Sequence, residues 1–66
     1  MTMYTIWEFV DGPDSDAVNP REGLTFTQAV NAGAEIRAAG RSVGIDRDDG
    51  EMATNEELLL ICGVVL

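Results

Sequence analysis

The stretch from Leu24 to Gly40 constrains this chain more than any other. Thr25-Phe26-Thr27-Gln28 reads as a capping box, in which the Thr25 hydroxyl accepts from the Gln28 amide and the Gln28 side chain reaches back. Leu24 stands one position earlier, where an apolar residue can staple against Ala29. Gly40 follows the last helical residue, where a left-handed cap costs least. Between these marks Phe26, Ala29, Val30, Gly33 and Ile36 recur at helical spacing and form one apolar stripe. The pattern predicts a helix of about four turns with one buried face. Gly33 inside it costs roughly 1 kcal/mol against alanine, so a close backbone approach to a sheet is its expected compensation.

Something must cover that stripe, and 66 residues leave little to do it with. A chain of this length buries only about 60% of the surface its unfolded form exposes, so one thin core and one domain, residues 1–66, are expected. Met3 to Val10 reads as a strand, since Tyr4, Thr5, Ile6, Trp7, Phe9 and Val10 are all β-favouring. Alternation puts Met3, Thr5, Trp7 and Phe9 on one face and Tyr4, Ile6, Glu8 and Val10 on the other, with Glu8 suggesting that the second face is the wetter. Asp11 to Gly23 reads as a loop, because Asp11-Gly12-Pro13-Asp14 and Asn19-Pro20 are turn signals. Arg41 to Asp46 reads as a second strand, Asp48-Asp49-Gly50 as a hairpin turn and Glu51 to Ala53 as a short return strand.

Thr54-Asn55-Glu56-Glu57 is a second capping box with two acids in the first turn, where the helix dipole favours them. It predicts a short helix from Asn55 to about Cys62, then an extended tail after Gly63. Leu59, Ile61, Val64 and Val65 would equally suit a buried strand, and periodicity does not separate the two. The expected class is α+β, a small β-α-β-β-α domain with one main helix packed on a small sheet. A right-handed crossover would set the first two strands parallel if they are neighbours.

Charge narrows the function. Twelve acids stand against four bases, all arginine, for a net charge of −8. That balance opposes direct binding to nucleic acid or to an anionic membrane, and favours a basic partner or a cation. With 45% hydrophobic residues the chain is too apolar to be a disordered acidic tail. The longest apolar run, Leu58 to Leu66, is too short for a membrane helix, and the N-terminus lacks the basic and small-residue signature of a signal peptide. A cytoplasmic protein is expected. Cys62 is the single cysteine, so it forms no internal disulfide, and its apolar run suits a buried thiol.

Catalysis is not expected. There is no histidine and no lysine, hence neither the commonest general base nor a Schiff-base nucleophile. Ser15 and Ser42 have no base partner. No metal or cofactor is expected either. Asp46-Arg47-Asp48-Asp49-Gly50-Glu51, with Glu57 further on, brushes against a calcium loop, but its glycine falls at the fifth position rather than the sixth and no helix precedes it. A solvated hairpin turn accounts for the same residues.

The acids themselves are the remaining clue. Most fall in three stretches: Asp11, Asp14 and Asp16; Asp46, Asp48, Asp49 and Glu51; Glu56 and Glu57. If strands one and two are parallel, the first two stretches share one end of the sheet. Alternate residues of an extended segment lie roughly 6.6 Å apart, comparable with neighbouring phosphates, so such an array can occupy a groove built for a phosphate backbone.

In length, single α/β domain, absence of lysine and histidine, and clustered acids at Asp11–Asp16 and Asp46–Glu57, the chain resembles the small acidic phage anti-CRISPR proteins that act as DNA mimics, in particular inhibitors of type I-C surveillance complexes. The resemblance covers the chain in character and rests on no diagnostic motif. It implies a monomeric, non-enzymatic inhibitor in the host cytoplasm whose carboxylates dock on the DNA-entry or PAM-reading surface of a Cascade subunit. An alternative of another class is a structural adaptor pairing through the apolar C-terminal segment, with Leu59 and Val64 at the contact. A third is a calcium-stabilised module.

Overall fold

The computed structural model describes residues 2–10 and 16–64. Three strands, β1 (Tyr4–Phe9), β2 (Ala17–Leu24) and β3 (Ser42–Arg47), form one sheet in the order β2-β1-β3. Helix α1 (Phe26–Ala38) packs on it. A short helix α2 (Asn55–Glu57) runs directly into a π-helical turn, Leu58–Cys62. The α+β class and the main helix on a small sheet are as the sequence indicates. The element order is β-β-α-β-α, because a strand precedes α1 and, among the described residues, none follows the 48–50 turn.

That early strand corrects the reading of Asp11 to Gly23 as loop. Residues Asp11 to Ser15 lie outside the described residues, but Ala17–Leu24 pairs antiparallel with β1, from Tyr4↔Leu24 to Phe9↔Ala17. Pro20 sits inside it, which only an edge strand tolerates, since proline cannot donate to a ladder. The pairing is interrupted twice in register, and Asn19 takes a left-handed φ of 52°. Its sequence shows neither alternation nor a β-branched run; pairing with β1 makes it a strand.

The parallel arrangement of β1 and β3 is overturned for the same reason. β3 pairs antiparallel with β1, Tyr4↔Arg47 through Phe9↔Ser42. The strands that the α1 crossover joins are β2 and β3, which run the same way with β1 inserted between them, a split β-α-β unit. Helix α1 begins at the Tyr4 end of the sheet and delivers the chain to the Phe9 end.

The α1 capping box forms as its spacing requires: the Gln28 N–H donates to Thr25 Oγ1 at 3.2 Å and the Thr25 N–H to Gln28 Oε1 at 3.0 Å. Gly40, at φ 80°, ends the helix. The core gathers Tyr4, Ile6, Ala29, Ala32, Ile36 and Ile61, flanked by Leu24, Val30, Val43, Ile45 and Cys62. Phe26 contributes less than the stripe implied. It stays partly exposed at the helix start, tilted against the Tyr4 ring with centroids 6.0 Å apart.

The two faces of β1 are the reverse of the sequence reading. Tyr4, Ile6 and Glu8 face the core, and Thr5, Trp7 and Phe9 the other side, where Trp7 meets Phe9 edge-on and its indole covers Gly44. Glu8 is only 5% exposed because Arg41 and Arg21 supply counter-charge from neighbouring segments. Gly33 approaches backbone as expected, but the partner is the π-helical turn rather than the sheet. A Cβ there would overlap the Ile61 carbonyl oxygen and lie 3.0 Å from its carbonyl carbon.

The second capping box also forms, and helix runs from Asn55 to Cys62, resolving the helix-or-strand ambiguity for that stretch. Gly63, at φ 72°, closes it. Its N–H bonds the Leu59 carbonyl at 3.1 Å, and the Val64 N–H bonds that of Leu58 at 3.1 Å. Val65 and Leu66 lie outside the described residues. The Asp48-Asp49-Gly50 turn is present, with Gly50 at φ 77°, but Glu51 to Ala53 does not pair as a return strand.

Candidate functional site

Of the acids expected to share one end of the sheet, Asp16 and Asp46 stand at opposite ends. Asp16 immediately precedes Ala17, which pairs with Phe9, so it stands where β1 ends. Asp46 pairs with Thr5 at the opposite end. Roughly 14 Å of strand separates those two registers at about 3.4 Å per residue. The antiparallel pairing of β1 and β3 is the cause. Asp11 and Asp14 lie outside the described residues.

At the Asp46 end, the structure sorts the remaining acids into those that build the fold and those that face out. Glu57 builds. As the third helical residue of its capping box it accepts from the Thr54 N–H at 2.8 Å, and the Glu57 N–H returns a bond to Thr54 Oγ1 at 3.2 Å. It also accepts from the Tyr4 hydroxyl and from Arg47 Nη1 at 2.9 Å. Burial opposes its ionisation, but the bonds from Thr54, Tyr4 and Arg47 outweigh it and hold the carboxyl below its ordinary 4.5. The bond to Glu57, with burial second, pushes the Tyr4 phenol up to about 12. Only 6% exposed, Glu57 presents no carboxylate to a partner.

Asp49 builds the turn. It takes a two-pronged contact from Arg47, Nε to Oδ1 at 3.1 Å and Nη2 to Oδ2 at 2.5 Å, and accepts from the Glu51 N–H at 3.0 Å. The Arg47 bond leads the causes that lower its pKa, and the same bond raises that of Arg47. Asp48 accepts from the Met3 N–H at 3.0 Å and remains exposed. Asp46, Glu51 and Glu56 are exposed, and among the described residues none of them pairs with an arginine side chain.

All four arginines are engaged within the fold. Arg41 meets Glu8 at 2.6 Å, and Arg21 lies between Glu8 and Glu35 at 3.9 and 3.6 Å. The Arg41 bond is the foremost cause of the lowered Glu8 pKa. Arg37 Nη2 donates to the Leu60 carbonyl at 3.2 Å, capping the π-helical turn.

Between β3 and the unpaired segment 50–53 lies an open groove of about 380 Å³. Half-buried Ile45, Ala53 and Leu58 line it together with exposed Asp46, Gly50, Glu51 and Met52, the last 88% exposed. Sequence reading identified its acids but not the groove, since the missing pairing of 51–53 that opens it has no local signal. A second apolar surface is formed by Leu59, Leu60 and Val64, exposed by 48%, 38% and 41%. Cys62 is half-buried, and burial pushes its thiol pKa up, away from reactivity.

Among the described residues no three Asp, Glu or Cys side chains converge to hold a metal ion. No helix in them is long and apolar enough to cross a membrane. The chain matches no protein family, no curated protein and no solved structure, so its function is read from its own residues.

Proposed function

We propose that this protein is a non-enzymatic inhibitor that works in the host cytoplasm as a monomer, using an acidic surface in place of DNA. Its target is the basic DNA- or PAM-binding surface of a CRISPR surveillance complex. One observation carries the reading. All four arginines are engaged within the fold, while Asp46, Asp48, Glu51 and Glu56 stay exposed at the β3 end and its adjoining turn and helix start. Carboxylates held this way meet a partner's arginine and lysine with no arginine side chain of the described residues already paired to them. We assign the mimicking surface to the 46–56 region, which carries these four exposed acids.

The test is an electrophoretic mobility assay of target duplex with purified type I-C surveillance complex. The protein should block duplex binding, with inhibition weakening several-fold as salt rises from about 50 to 300 mM. The triple variant D46N/E51Q/E56Q should fold with an unchanged circular dichroism spectrum and lose the inhibition. Unchanged inhibition by that variant refutes the acidic surface, and a wild-type protein that leaves duplex binding untouched refutes the target.

The exposure of Leu59, Leu60 and Val64 favours a second reading, an adaptor that pairs through its C-terminal apolar surface. Association of that kind would persist at high salt and fail in L59D.

A further inference from the structure

The two edges of the sheet are finished differently. The β2 edge carries Pro20, the left-handed Asn19 and two register irregularities, all devices that obstruct further pairing. The β3 edge carries none of these; its pairing with β1 is in continuous register over all six residues.

The ladder shows which β3 groups face outward. The Asp48 N–H donates to the Met3 carbonyl at 3.1 Å, one pair beyond Tyr4↔Arg47, so that position is a hydrogen-bonded pair. Antiparallel pairs alternate. Thr5/Asp46, Trp7/Gly44 and Phe9/Ser42 are then the pairs that exchange bonds, and Val43, Ile45 and Arg47 direct their N–H and C=O groups away from β1. The Arg47 carbonyl accordingly accepts from the Gly50 N–H at 3.4 Å. Among the described residues Val43 and Ile45 have no such partner, and segment 50–53 makes no ladder with them. The groove adjoins this open edge, with the apolar side chains of Ile45, Ala53 and Leu58 on one side and the carboxylates of Asp46 and Glu51 at hand.

We infer that the β3 edge receives an extended, basic segment of the partner as a fourth strand, bonded through the Val43 and Ile45 backbone. Every second side chain enters the groove beside Ile45 and Leu58, and lysines or arginines of the segment meet Asp46 and Glu51. Charge selects this occupant over a second copy of the chain. Two copies at −8 each would repel one another across a shared edge, whereas a basic strand is drawn to Asp46 and Glu51. The inference rests on the proposed basic partner and adds how that partner is held.

The probe is a capped peptide of five Lys-Val repeats, with backbone hydrogen exchange read residue by residue by NMR. In the free protein the Val43 and Ile45 amides should exchange freely while those of Gly44 and Asp46 are protected. Saturating peptide should slow Val43 and Ile45 by about tenfold or more, as ladder formation requires. A peptide N-methylated at alternate residues, so that its edge-facing amides cannot donate, should bind at least about tenfold more weakly. D46N/E51Q should weaken binding at low salt and much less at high salt.

Failure of the peptide to bind, indifference to N-methylation, or protection elsewhere overturns strand addition. Concentration-dependent protection of Val43 and Ile45 in the free protein overturns the basic occupant in favour of a second copy. The same exchange measurement on the surveillance complex separates the two proposals. Salt-sensitive inhibition with unprotected edge amides leaves the acidic inhibitor standing without strand addition. Peptide-induced protection together with no effect on duplex binding does the reverse.

Discussion

Replacing Gly33 with alanine tests the close approach of α1 to the π-helical turn. On helix propensity alone the substitution should stabilise α1 by about 1 kcal/mol, because glycine is the costlier residue in a helix interior. Tertiary geometry opposes that gain. The added Cβ would lie 3.0 Å from the Ile61 carbonyl carbon, 3.3 Å from its Cγ2 and in overlap with its carbonyl oxygen. The obstructing atoms are backbone, so no rotamer change relieves them, and α1 must move away from the π-helical turn by about 1 Å. A gap of that size forfeits a quarter to a half of each dispersion contact across the interface, which here includes the fully buried Ile61. It also stretches the 3.2 Å bond from Arg37 to the Leu60 carbonyl. Overpacking costs about 1–3 kcal/mol, and overlap with backbone that cannot rotate away falls at the upper end, about 3 kcal/mol. Net of propensity, Gly33→Ala should lose about 2 kcal/mol, a large part of the stability available at roughly 0.05–0.15 kcal/mol per residue. Urea unfolding followed by Trp7 fluorescence and far-ultraviolet circular dichroism measures it, and thermal unfolding should show a fall in Tm of about 10 °C. Gly40→Ala is the control. Its φ of 80° is strained for alanine although nothing lies within 4 Å, so it should cost about 1 kcal/mol from backbone conformation alone. A Gly33→Ala protein as stable as the parent, or more so, would refute the close approach.

The carboxylates bonded within the fold give stability a defined pH dependence. Glu8, Asp49 and Glu57 ionise more readily folded than unfolded, so their contribution is present above the ordinary values of 4.5, 3.8 and 4.5 and is lost as pH falls through the lower folded values; the urea midpoint should drop on acidification in that window. Tyr4 titrates in the opposite sense. Its folded pKa of about 12 lies above the ordinary 10.0, so the stability it confers is whole below pH 10 and declines as pH rises to about 12, and Tyr4→Phe should remove that alkaline loss at a cost of about 1 kcal/mol at neutral pH. Glu57→Gln leaves Arg47 with Asp49 alone and weakens the Thr54 cap, and should cost about 2–3 kcal/mol by the same urea assay. Thr25→Ala should cost about 1 kcal/mol through loss of the α1 cap, with no change in binding at the β3 end.

What could be read along the chain was whatever local chemistry governs. Both capping boxes, the left-handed glycines at 40, 50 and 63 and the helical run through Cys62 follow from side chains bonding to backbone three residues away, or from a missing Cβ. The β1 strand follows from its β-favouring side chains. Glu57 was doubly legible, as a capping residue and as an exposed acid, and the capping geometry prevailed because the same carboxylate also meets Tyr4 and Arg47.

Tertiary structure decided the rest. β2 exists because β1 offers it a partner, and neither Pro20 nor Asn19 announces a strand. Once that strand precedes α1, the crossover joins β2 to β3, β3 runs antiparallel to β1, and Asp16 and Asp46 are set at opposite ends. Glu8 turned inward because Arg21 and Arg41, from β2 and from the residue just before β3, supply counter-charge that no reading of β1 alone contains. The open β3 edge likewise depends on residues 51–53 passing it without pairing. Propensities and caps act over three or four residues, whereas strand order, the burial of a charge and a free edge are properties of segments that meet only when the chain has folded.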